Sequence, residues 1–157
     1  MIIPEAITHE YPTVTIDGVS APHRAGSLFA FLTIPVGSIV IPNPKLLLKD
    51  SVIRALITAG APPAIHDLTV DISDLSITAY DLLVTRRIAC SVASTIRLSS
   101  DDAVFEVTDV SVTTSFAHYR SLAFSAQISE VARECMRQFG RDVVERVKAR
   151  DLTMRHP

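Results

Sequence analysis

From Leu68 to Leu98 apolar side chains return at every second position, a period that suits a strand with one buried face and not a helix. Leu68, Val70 and Ile72 alternate with Thr69, Asp71 and Ser73, and the apolar set then moves to Leu75, Ile77 and Ala79. The phase slips by one residue at Ser73-Asp74. A single inserted residue resets a period of two, so a β-bulge there returns both triplets to the core face. Beyond it Leu82, Val84, Ile88, Cys90, Val92, Ile96 and Leu98 hold even positions, which predicts a long strand with one solvated face. Ser99-Ser100-Asp101-Asp102 reads as a polar turn. The chain returns through Val104-Phe105-Glu106-Val107-Thr108, with a second phase change before Val110 and Val112, completing a long antiparallel hairpin.

Two helices flank this hairpin in sequence. Asn43-Pro44 supplies an N-cap with proline in the first turn, and Gly60 with Pro62-Pro63 supplies a stop. Between them Leu47, Leu48, Val52, Ala55, Leu56 and Ala59 recur at helical spacing, predicting a helix over 44–59. From Ser121 onward Phe124, Ile128, Val131, Ala132, Cys135, Phe139 and Val143 step by three or four, predicting a second helix over 121–148. Gly140 is its weak point, at a cost of about 1 kcal/mol relative to alanine.

The N-terminal region is punctuated by Pro4, Pro12, Gly18, Pro22 and Gly26, and reads as an extended arm over 1–27 with one short strand at Val14-Thr15-Ile16. The apolar run Leu28 to Ile34 predicts a buried strand, Pro35-Val36-Gly37 a kink, and Ser38-Ile39-Val40-Ile41 a second short strand. The fold class is therefore α+β, a mostly antiparallel sheet packed by two helices. One domain over 28–150 follows the arm, and 151–157 forms a tail.

Composition removes several functions. Fifteen Lys and Arg against seventeen Asp and Glu give a net charge of −2, so no global positive field draws the protein onto nucleic acid. No apolar run reaches the roughly 18–20 residues that span a bilayer. Cys90 and Cys135 are the only cysteines, too few for a disulfide framework or a thiolate zinc site, and both fall at apolar-phase positions as small buried hydrophobes. The first eleven residues lack a signal peptide's basic start and apolar core, so the chain as written is expected to be cytoplasmic. A leader removed upstream would instead place it on the periplasmic face of the envelope, tethered to the membrane.

Catalytic constellations are not evident. No two of His9, His23, His66, His118 and His156 share the i, i+4 spacing of a helical metal site, and no Gly-x-Ser-x-Gly elbow occurs. Neither a catalytic residue, a metal nor a cofactor is indicated. His66, beside Asp67, and His118, near the start of the last helix, fit loop positions and are carried as candidate binding residues. Arg86 and Arg87 join them, because Arg86 sits in the apolar phase of its strand and can mark a strand end, a charge-guarded edge, or an anion or partner contact. Arg133, Arg137 and Arg141 fall at i, i+4 and i+8. Arg146, Lys148, Arg150 and Arg155 extend the basic bias, and Glu130, Glu134, Asp142 and Glu145 lie three or four residues from these cations, which reads as a self-neutralised solvated face.

The segment Ser51 to Val147 resembles the small α/β domains of Gram-negative envelope lipoproteins, the YajG-like family and the auxiliary lipoproteins of ABC-type lipid transport. The resemblance lies in a helix ending Leu56-Ile57-Thr58-Ala59-Gly60, a strand Asp67-Leu68-Thr69-Val70-Asp71-Ile72, a hairpin from Arg87 to Val112, and a helix carrying Gln127-Ile128-Ser129-Glu130-Val131. It implies an envelope-tethered, non-catalytic domain that binds a protein partner or transport component, and it carries over no individual functional residue. The chain shows no lipidation cysteine near its start.

The resulting expectation is a non-enzymatic binding or assembly module, acting through an exposed apolar edge on the long hairpin or a self-association surface. An alternative is a homo-oligomeric scaffold of phage or mobile-element origin whose arm reaches onto a neighbour. A third reading, an enzyme or ligand-binding cup, requires His66, Arg86 and His118 to converge in one pocket.

Overall fold

The bulge falls where the alternation slips. In the computed structural model, which describes residues 14–30, 34–59, 68–82, 84–98, 101–117 and 123–155, strand β4 (Leu68–Asp81) pairs antiparallel with β5 (Thr85–Leu98), and the register shifts between Ile72 and Asp74. Leu68, Val70, Ile72, Leu75, Ile77 and Ala79 are all buried, while Ser73 and Asp74 are exposed. The Asp74 carboxylate accepts the hydroxyls of Ser76 and Ser91, both at 3.2 Å, which ties the bulge to the neighbouring strand.

Strand β6 (Asp101–Ala117) pairs antiparallel with β5, completing the hairpin. Asp101 and Asp102 already belong to β6 rather than to the turn, and the irregular pairing lies at Ile96 to Leu98 opposite 101–106. At the other end β5 starts at Thr85. Leu82 and Val84 form the β4–β5 turn, where the Leu82 amide donates to the Thr85 carbonyl at 2.8 Å, and Val84 is 72% exposed. Their apolar phase is accidental, because the chain reverses there.

The sheet order is β3-β2-β4-β5-β6, with β1 (Val14–Asp17) also on β4. Both β1 and β2 (His23–Ala30) run parallel to β4 and share one side of it: β1 lines Leu68 to Asp71, and β2 lines Ala79 to Asp81. The bulge sits between them. Gly18, at φ +88°, turns the chain out of β1 so close to β4 that a Cβ would lie 2.2 Å from the Ile72 carbonyl oxygen. Val14, Ile16, Val19 and Ala25 are buried, so this stretch, read from sequence as part of an arm, supplies sheet and core. Residues 1–13 lie outside the described residues.

Strand β3 (Ile34–Ile41) pairs antiparallel with β2. The predicted boundaries differ here: β2 ends at Ala30, and Pro35-Val36-Gly37 lies inside β3 instead of separating two strands. Proline fits because β3 is the sheet edge, where a missing N–H breaks no ladder.

The two helices pack on one face of the sheet. Helix α1 (Pro44–Ala59) has the predicted bounds; the Leu46 amide donates to the Asn43 side-chain oxygen at 3.3 Å, the N-cap bond. Its core stripe is Leu48, Val52 and Leu56, each fully buried and each contributing about 1.5–3 kcal/mol by burial. Leu46 and Leu47 stay 61% and 45% exposed. Helix α2 (Phe124–Arg155) extends past the predicted end and buries Val131, Cys135, Met136, Phe139, Val143, Val144 and Val147. Gly140 is no weak point. A Cβ there would lie 2.5 Å from the Ser51 carbonyl oxygen, so its lack of a side chain lets α2 approach the backbone of α1.

Candidate functional site

Arg86 occupies an apolar-phase position of β5 and remains inside, with its side chain 17% exposed. Its Nη1 donates to the Gln127 Oε1 at 3.3 Å, its guanidinium carbon lies 4.7 Å from the centre of the Phe124 ring, and its Nε is 4.0 Å from an Asp81 carboxylate oxygen. Gln127 is itself fully buried within the apolar stripe of α2. The two polar residues thus answer one another across the sheet–helix interface, and Arg86 clamps the first turn of α2 to the end of the β4–β5 hairpin. Burying a charge is costly unless it is paired and hydrogen-bonded, and here the ring face, the amide and the carboxylate share that duty. The hint in the sequence was a polar residue in each of two facing apolar stripes.

Arg87 points the other way and is exposed. It pairs with Tyr80 on β4 and Ser115 on β6, on the face that the helices leave open. Tyr80 in turn stacks on Phe29 of β2, ring centres 5.3 Å apart, and Phe29 pairs with Pro35 of β3. One row across the sheet therefore reads Pro35, Phe29, Tyr80, Arg87. The adjacent row reads Ile34, Ala30, Asp81, Arg86. At this corner Ile34 is 52% exposed, and Val36 and Val40, further along β3, are 63% and 51% exposed. Val84 projects from the neighbouring turn. The long hairpin does supply one sheet edge, β6, with Val107 59% exposed, but the larger exposed apolar set, Ile34, Val36 and Val40, lies on the opposite edge, β3. Strand β3 also carries no charged residue, the usual guard against edge-to-edge pairing.

His66 and His118 lie outside the described residues. Leu68, two positions after His66, begins β4 at the opposite end from Asp81 and Arg86.

Cys90 and Cys135 are buried free thiols, on β5 and α2 respectively. A hydrogen bond with the Cys135 thiol, together with burial, pushes the Cys90 thiol well above its usual pKa, so it stays protonated and unreactive. Among the described residues no group of three or more His, Cys, Asp or Glu is placed to hold a metal ion, and no helix is long and apolar enough to cross a membrane.

No protein-family model matches the chain, and no curated protein matches it. Solved structures do. A minor lipoprotein from Acinetobacter baumannii superimposes with a TM-score of 0.52 at 11% identity, covering 84% of this chain and 96% of that one. In fold, this chain resembles bacterial lipoproteins. Rare lipoprotein B from Shewanella oneidensis gives a TM-score of 0.52 at 11% identity, covering 83% of this chain and 98% of its own. A Xanthomonas campestris protein described under the DUF330 family model gives 0.58 at 16% identity, covering 92% and 91%. The lipoprotein resemblance read from the sequence pattern holds at this level of fold.

Proposed function

We propose that this protein is a non-enzymatic binding and assembly module whose docking surface is the β3 edge with the adjoining corner of the sheet. The observation that carries this reading is an uncharged edge strand with Ile34, Val36 and Val40 half or more exposed, beside Val84 at the neighbouring turn. An unpaired row of backbone N–H and C=O groups flanked by apolar side chains is a template for strand addition, in which main-chain bonds give affinity and the alternate side chains give selectivity. Arg87, exposed beside the Phe29–Tyr80 stack, offers a charge at the rim of the same corner.

The partner in this reading is a protein, either a second copy of this chain or a component of a bacterial envelope or lipid-transport complex. The fold likeness to lipoproteins supports the envelope context, and the self-complementary edge supports association with a second copy. The YajG-like or ABC-transport auxiliary assignment stands as the narrower form of this proposal.

Val36→Lys tests the surface. Lysine on an open edge opposes strand addition, so the variant is expected to lose self-association in light scattering and to lose co-purifying envelope proteins from the native host. A variant that keeps both would overturn the edge as the docking surface. Labelling the full reading frame with a radioactive fatty acid in that host tests the envelope assignment: label in the membrane fraction supports it, and an unlabelled protein in the soluble fraction rejects it.

A further inference from the structure

The self-neutralised face expected for Arg133, Arg137 and Arg141 is only partly so. Arg137 bonds Glu134, with Nη2 to Oε1 at 2.5 Å and Nε to Oε2 at 2.9 Å. That carboxyl is held below its usual range by the Arg137 and then the Gln138 hydrogen bond. Arg133 and Arg141 are exposed and make no ion pair among the described residues.

These three arginines form one wall of a groove. Helices α1 and α2 lie side by side and run the same way: Gly140 meets Ser51, and eight residues further along each helix the Lys148 Nζ donates to the Ala59 carbonyl at 2.9 Å. Their sheet-facing stripes are buried, and the opposite sides leave a groove of about 790 Å³. Leu47 and Ala55 supply its accessible apolar surface, and Met136 and Val144, 6% and 3% exposed, close its floor. Lys148 adds to the arginine wall on α2, Arg54 stands on the facing α1 wall, and Asp50 and Glu145 are the acidic residues on the lining. Five cations thus face two carboxylates on the lining; Asp50 already bonds Arg54 at 2.9 Å, and Glu134, beside the lining, bonds Arg137, which leaves Arg133 and Arg141 as the arginines without an ion pair among the described residues.

We propose that the α1–α2 groove docks an acidic amphipathic helix of a partner protein, its apolar stripe against Leu47, Ala55 and the arginine stems above the floor that Met136 and Val144 form, and its carboxylates against Arg133 and Arg141. The charge follows from the excess of cations. The shape follows from spacing: residues four apart on a helix lie roughly 6 Å from one another, so Arg133 and Arg141 match carboxylates at i and i+8 on an incoming helix, with Arg137 between them held by Glu134. From Leu47 to Thr58 the α1 wall is about 16 Å long at 1.5 Å per residue, room for about three helical turns. A lone anionic headgroup would engage one of Arg133 and Arg141 and leave the other without a counterpart. This deepens the binding-module reading but uses a surface on the opposite side of the helices from the sheet.

The test is titration of the full chain with a synthetic 14-residue peptide bearing leucines at i, i+3, i+4 and i+7 and glutamates on the flanking positions. A scrambled peptide of the same composition and vesicles of phosphatidylglycerol serve as comparisons. Binding of the patterned peptide is expected at least tenfold tighter than the scrambled one, with nuclear magnetic resonance shifts at the Met136 methyl. Arg133→Glu with Arg141→Glu should weaken it tenfold or more. Both side chains are exposed, so folding should survive; Arg133→Gln with Arg141→Gln gives the milder check. Val36→Lys should leave peptide binding unchanged, so failure of the edge and failure of the groove read out separately. Absence of peptide binding, equal binding of the scrambled peptide, or arginine-dependent binding confined to the vesicles would overturn the proposal, the last by assigning the row to a membrane surface.

Discussion

Strands β5 and β3 are both rich in apolar residues, yet Ile88, Cys90, Val92 and Ile96 of β5 are at most 1% exposed, while Ile34, Val36 and Val40 of β3 are 52%, 63% and 51% exposed. Strand β5 has a neighbour on each side and α2 over one face. Strand β3 has β2 on one side and, among the described residues, no strand on the other. Burial belongs to what lies over and beside a strand as much as to its composition, and the same kind of side chain stabilises the fold in one place and leaves apolar surface open in the other. Substitutions under α2 should therefore be costly, as should those at Ile39 and Ile41, which β3 turns into the core, while substitutions at Ile34, Val36 and Val40 should be nearly silent for stability.

Phe139→Ala should give the largest effect. Phe139 is fully buried at the centre of α2, and truncating a core phenylalanine typically costs about 3–5 kcal/mol through lost burial and a residual cavity. For a chain of this size the melting temperature should fall by roughly 10 °C or more. A thermal melt that moves by only a degree or two would break the picture of one continuous core beneath the helices.

Gly140→Ala comes next. Alanine raises helix propensity by about 1 kcal/mol, but its Cβ would stand 2.5 Å from the Ser51 carbonyl oxygen, which backbone must move to relieve. Overpacking of this kind costs about 1–3 kcal/mol, so urea unfolding should show a net loss in spite of the helical gain. A stabilised variant would mean the helices separate easily, and the contrast would weaken.

Sequence alone made part of this contrast legible. The α1 boundaries, the bulge at Ser73-Asp74 and the stripe of α2 were readable because caps, a period of two and a period near 3.6 are local signals. Those signals say nothing about which strand sits beside which. Val14, Ile16 and Ala25 are core because β1 and β2 share one side of β4, a pairing across more than fifty residues. The role of Gly140 depends on Ser51, far off in sequence, and Arg86 is explained by Gln127 forty-one positions away. An open edge on the long hairpin was legible, and β6 with Val107 is one, but the more apolar edge on β3 followed from sheet order, which spacing does not encode.

The core has a polar counterpart to these packing tests. Ser94 and Thr108 are fully buried between β5 and β6 and share a hydroxyl hydrogen bond of 2.5 Å. Thr108→Val alone strands the serine hydroxyl and should cost about 1–2 kcal/mol, whereas adding Ser94→Ala should recover most of the loss. Chemical denaturation of the single and double variants reads the difference. Equal destabilisation by both would show that packing volume, rather than the unpaired hydroxyl, carries the cost.

Val36→Lys should be the smallest in stability and the most telling about the edge. At 63% exposure Val36 loses little burial when replaced, and its strand position allows the lysine ammonium to reach water with its methylene stem along the surface. Substitutions of exposed residues usually fall within about 0.5 kcal/mol, so the monomer's denaturant midpoint should barely move. Measured at high dilution, that midpoint reports folding alone. Measured at high concentration, it also reports any association that stabilises the folded chain. A wild-type midpoint that rises with protein concentration, beside a Val36→Lys midpoint that does not, would place the second copy on β3. If instead the variant loses stability at every dilution, Val36 is packed within the monomer, and β3 belongs with β5 on the covered side of the comparison.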